Sequence, residues 1–96
     1  MSKEHILLSD DQIVEFQKKF TDWSLKNGRL TKGYVFESFS EAFAFMTRVA
    51  LVAQKVNHHP KFYNDFKKVE LTLWTFDASG LTKDDLILAE EIEKLR

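Results

Sequence analysis

Cysteine is absent from the 96 residues, proline occurs once and glycine three times. Without thiols the chain has neither a disulfide framework nor a thiolate metal site. It carries no repeat and no low-complexity tract. Charge of one sign is missing too: fourteen Lys and Arg stand against fifteen Asp and Glu, a net charge of -1. That balance leaves no electrostatic footprint for direct nucleic-acid binding. No apolar run approaches the roughly 20 residues of a membrane span. The stretch Met1–Leu8 is too short and too charged for a signal peptide. The expectation is a cytoplasmic protein without membrane contact.

What the chain does have is apolar bulk. Hydrophobic residues make up 44% and aromatics 14%, with nine Phe and two Trp. That is enough to fill a core and argues against disorder. Residues 1–96 are read as a single domain.

Ser9 with Gln12 is a capping-box pattern. Ile13, Phe16, Gln17 and Phe20 follow it at helical spacing, with Val14 widening the stripe, and predict a helix over about 10–20. Asn27-Gly28 between two patterned runs predicts a hairpin, because a type I′ turn needs positive φ at both positions. The second strand runs from Leu30 to Phe36, with Gly33 expected to mark a bulge. Ser40 is expected to cap a long helix over about 40–57. Phe43, Met46, Val49, Ala50, Ala53 and Val56 form its core stripe, and Phe45 lies on a second face. Asn57 suits a left-handed helix end.

Lys61–Phe66 and Lys68–Phe76 read as strands. In the second, Val69, Leu71, Leu73 and Thr75 should face the helices, while Glu70, Thr72, Trp74 and Phe76 point the other way. Thr82 with Asp85 opens a closing helix carrying Leu86, Leu88, Ala89, Ile92 and Leu95. The order α-β-β-α-β-β-α predicts an α+β fold, one four-stranded antiparallel sheet with three helices on one face.

The reactive chemistry gathers at His58-His59-Pro60. Imidazole exchanges protons near neutral pH. Adjacent histidines diverge, so at least one should look into a cleft or solvent. Pro60 restricts His59 to extended backbone. Zinc asks for three or four protein ligands, and His5 is the only other imidazole, so no metal is expected. No serine sits in a nucleophile elbow, and no phosphate loop is present. Asp85 reads first as a capping acid, and Trp74 and Phe76 first as packing.

Ser40-Glu-Ala-Phe-Ala-Phe-Met-Thr-Arg-Val-Ala-Leu, followed by Asn57-His-His-Pro60, resembles the pterin-4a-carbinolamine dehydratase family. Val69-Glu-Leu-Thr-Leu and Ser79-Gly-Leu-Thr-Lys-Asp-Asp85 match in the same order, as do Trp23 and the pair Phe36 and Phe39. The resemblance implies a saddle-shaped sheet assembled into homodimers or homotetramers. It implies dehydration of 4a-hydroxytetrahydropterin, left by an aromatic amino acid hydroxylase, to quinonoid dihydropterin, without a further cofactor. In animals the family also supplies a dimerisation cofactor for a homeodomain transcription factor.

Carried over, His58 takes the acid–base role, His59 binds the ligand and assists, Pro60 aims both, and Asp85 orients a site group. Two positions depart from the family pattern. Gln54 stands where an acid is usual, and Phe76 where a third histidine is usual. Gln54 keeps hydrogen bonding but not charge. Phe76 carries no proton, although it and Trp74 offer stacking surfaces for a pterin. Three readings follow: a weakened dehydratase, a pterin-binding or protein-interaction module that has lost catalysis, and a dehydratase for another carbinolamine or a molybdopterin-related substrate.

Overall fold

The computed structural model describes residues 6–95; His5 lies outside the described residues. Helix α1 spans Asp10–Lys19, strand β1 Ser24–Lys26, β2 Arg29–Val35, helix α2 Phe39–Val56, β3 Lys61–Asp65, β4 Lys68–Leu73 and helix α3 Lys83–Glu93. A single 3-10 turn occupies Phe76–Ala78. The strands form one antiparallel sheet in the order β1-β2-β4-β3.

Local chemistry sets the ends of these elements. Ser9 and Gln12 close a reciprocal capping box on α1. Asn27 and Gly28 have φ of 52° and 76°, as a type I′ hairpin requires. Gly33 makes no bulge. The β2–β4 ladder runs without interruption from Leu30↔Leu73 to Val35↔Lys68, with Gly33 opposite Glu70. The cap of α2 is Ser38 rather than Ser40. Ser38 is extended and its Oγ accepts from the Glu41 N–H at 3.1 Å, so Ser40 falls inside the first turn.

β4 pairs only as far as Leu73, shorter than the expected strand to Phe76, because β2 ends at the hairpin beside it. Thr75 stays extended and exchanges its backbone hydrogen bonds with Gly80 instead. Gly80 is tightly covered: a Cβ there would lie 2.7 Å from Leu7 Cδ2. Leu7 bridges to Thr82, and the Leu8 N–H bonds the Leu81 carbonyl.

Alternation along β4 sorts the sheet into two faces. Val69, Leu71 and Leu73 are fully buried against the helices, each worth about 1.5–3 kcal/mol of transfer free energy. They join Phe16, Trp23, Leu30, Tyr34, Leu88 and Ile92 in one core. On α2 the core stripe is Ala42, Phe45, Met46, Val49 and Ala53. Phe45 is therefore in the core, packed against Tyr34 and Phe36. Phe43 and Ala50 are exposed, because the inward stripe is set one residue away from each. Val14 is also exposed. Lys32 is the one cation of β2 on the helix side. Glu93 of α3 accepts from its Nζ at 2.6 Å and from the Trp23 indole at 2.8 Å, which ties the first hairpin to the last helix.

Candidate active site

The exit of α2 delivers the first histidine. Asn57 adopts the left-handed conformation, φ 57° and ψ 44°. Its N–H returns to the Gln54 carbonyl, and the His58 N–H returns to the Ala53 carbonyl at 3.1 Å. This is a Schellman closure, and it fixes the His58 backbone against the helix end. The His58 side chain is nearly buried. Its Nε2 lies 2.6 Å from Asp85 Oδ1, across 27 residues of sequence.

Asp85 is fully buried, and it is also the third residue of α3. Its Oδ2 accepts from the Thr82 N–H at 2.9 Å, completing the capping box, and from the Thr75 hydroxyl at 2.7 Å. Thr75 has one proton and gives it to Asp85. The Thr82 hydroxyl, 2.8 Å from Thr75 Oγ1, therefore donates to Thr75, while its own oxygen accepts from the Asp84 N–H. The side-chain oxygens of Asp85, Thr75 and Thr82 all have partners, as buried groups require. With Oδ2 saturated, Oδ1 receives the His58 Nε2–H, and the exchangeable position of the ring is Nδ1. Nδ1 has no partner among the described residues. Capping and orientation are thus one job for Asp85.

His59 points the other way and is exposed, and Pro60 is half-buried at the start of β3. Gln54 is exposed on α2, and its side chain makes no hydrogen bond among the described residues. Trp74 and Phe76 meet edge to face with centroids 6.1 Å apart, and Phe76 is 81% exposed. With Arg29, Lys61 and Thr72 they line a cleft of about 270 Å³ on the sheet face away from the helices. The Arg29 guanidinium lies over the Trp74 ring, 4.4 Å from its centroid. His58 and His59 are not among the residues lining this cleft.

Five residues of these two groups were not singled out as site residues by sequence: Thr75, Thr82, Arg29, Lys61 and Thr72. Thr75 had a signal, being the polar member of the inward β4 set. Arg29 had one also, since it directly follows the hairpin turn and precedes Leu30, the partner of Leu73.

The chain matches the family model described as pterin 4 alpha carbinolamine dehydratase over residues 6–95. It belongs to that family. Relatives carrying the pterin-4-alpha-carbinolamine dehydratase name include one from Mesorhizobium japonicum, 47% identical over 87 residues, covering 88% of this chain and 89% of the relative. Another, from Prochlorococcus marinus strain NATL2A, is 42% identical over 89 residues, covering 93% and 94%. The crystal structure of a transcriptional coactivator/pterin dehydratase from Brucella melitensis superposes with a TM-score of 0.87 at 29% identity, covering 94% of this chain and 98% of that one. The dehydratase family and its fold are therefore shared over nearly the whole chain.

Among the described residues no helix is long and apolar enough to cross a membrane. No group of three or more histidines or acids among them is placed to hold a metal ion.

Proposed function

We propose that the chain is a hydro-lyase that converts a 4a-hydroxytetrahydropterin into quinonoid dihydropterin and water. The observation that supports it most directly is the His58–Asp85 pair, an imidazole held at 2.6 Å by a fully buried carboxylate, beside the exposed His59. In the reaction the C4a–O bond breaks, and the hydroxyl leaves as water with a proton from a general acid. The N5–H proton is lost as the N5=C4a double bond forms. One proton given and one taken balance, so a single imidazole returns to its starting state each turnover. His58 does this work at Nδ1. His59 contacts the substrate and assists, and Pro60 holds it extended. Asp85 is a positioning residue that keeps the His58 ring fixed. Each well-placed acid or base is worth about 10²–10⁴-fold.

The test is the dehydration of chemically generated 4a-hydroxytetrahydropterin with wild-type protein, with His58→Ala and with buffer. A wild-type rate above buffer that falls by about 10²-fold or more in His58→Ala is expected. A wild-type rate equal to buffer ends the enzymatic reading. A specific observation favours the other one, a pterin-binding or coactivator-like interaction module. Phe76, with no proton to give, fills the position where the family usually has a histidine, and its ring faces solvent.

Assembly into a homodimer or homotetramer belongs to the same reading, as does a cytoplasmic setting. Exposed Phe39 and Phe43, and an apolar hollow of about 310 Å³ between α2 and β3, support self-association. Sedimentation velocity reads it directly.

A further inference from the structure

The cleft on the open face has a charge that dehydration does not use. Arg29 is half-buried, and its described interaction is the stacking on Trp74. Lys61 stands on the same rim. Neither forms an ion pair with any described carboxylate. Alternation and register fix the neighbours on this face. Lys61 is opposite Thr72, Tyr63 is opposite Glu70 one row further, and Asp65 is opposite Lys68 a row beyond that. The row that lines the cleft thus carries a cation and no acid; Glu70 stands one row away, and Asp65 two rows away opposite Lys68. Between the two cations lie one threonine hydroxyl and two aromatic rings. Planar rings beside a guanidinium, an ammonium and a hydroxyl match a flat heterocycle that carries a pendant anion.

We propose that Arg29 and Lys61 form a subsite for an anionic substituent, phosphate or carboxylate, on the pterin that this chain acts on. The proposal rests on the dehydratase reading and narrows its substrate class to pterins whose side chain is negatively charged. Trp74 and Phe76 flank the end of the ligand that carries the substituent, apart from the ring atoms at which His58 and His59 act, and Thr72 donates to the anion from the floor. Phe76 then has a use that a histidine would not serve as well.

The experiment is calorimetric titration of three probes: neopterin, whose side chain is neutral, pterin-6-carboxylate and neopterin monophosphate. Inorganic phosphate serves as competitor. At low salt the anionic pterins are expected to bind at least about tenfold more tightly than neopterin, with the margin shrinking as salt is added. Arg29→Gln and Lys61→Gln should each cut the anionic-to-neutral ratio, and the double variant should bring it near one. Lys61 is exposed on a strand edge, so its variant keeps the test valid if Arg29→Gln fails to fold. Competition by phosphate against the anionic pterins alone supports the subsite. Equal affinity for neutral and anionic pterins, or a ratio unmoved by both substitutions, overturns it. Those outcomes leave the dehydratase reading intact as long as neutral 4a-hydroxytetrahydropterin is still turned over. If no pterin of either charge binds or reacts, both ideas fall together.

Discussion

One short stretch of backbone serves two dissimilar regions. Thr75 turns inward to a carboxylate that water does not reach, while Trp74 and Phe76 on either side turn outward to the cleft beneath Arg29. The inward region is tied to one carboxylate: His58 Nε2, the Thr75 hydroxyl and the Thr82 N–H converge on Asp85, and the Thr82 hydroxyl bonds Thr75. The outward region is open, held by ring contacts, and its two cations form no ion pair among the described residues. The difference teaches where change is tolerated. A buried polar network is all or nothing, whereas an exposed aromatic shelf can exchange side chains one at a time.

The comparison breaks most visibly at Asp85. Asp85→Ala removes the acceptor for His58, Thr75 and the Thr82 N–H together, and should cost about 3–5 kcal/mol in a urea unfolding titration. A loss no greater than a surface substitution would mean that the network is not tied to that carboxylate. Phe76→His lies on the open side and should leave the unfolding midpoint nearly unchanged. It is expected to raise the dehydration rate by about 10²-fold if the remaining site is intact. No gain would show that more than one proton carrier is missing. The smallest effect belongs to Gly33, on the open face with nothing within 4 Å of an added Cβ. Gly33→Ala should stabilise by about 0.5 kcal/mol, because the unbulged strand accepts it and the unfolded chain loses freedom.

Much of the fold was legible because its signals are local. Asn27-Gly28 demands a hairpin, Ser9 and Gln12 cap each other, and the alternation of Val69, Leu71 and Leu73 names a buried face. Competition between neighbours was less legible. Ser38 and Ser40 both precede Glu41, and only the backbone geometry selects the one three residues away. Phe43 and Phe45 are both apolar on a helix whose mixed pattern admits two stripes, and packing against Tyr34 decides for Phe45. Gly33 looked like punctuation because glycine often is, yet the ladder runs straight past it.

In the site, the family motif pointed to His58, His59 and Asp85, and periodicity pointed to the cap. That the cap and the histidine share one carboxylate is a long-range fact that no spacing rule carries. Gln54 was expected near the chemistry from its place in the motif. Gln54 is exposed on α2, and its side chain makes no hydrogen bond among the described residues.

The mutual backbone bonds of Thr75 and Gly80 bear on how such a chain can diverge. They pin the parity of the segment, so a single inserted or deleted residue would rotate an indole toward the carboxylate and expel the hydroxyl that serves it. Replacements at positions 29, 61, 74 and 76 leave that parity untouched. A length change there would instead break the hydrogen bonds that Thr75 makes to Asp85 and Thr82.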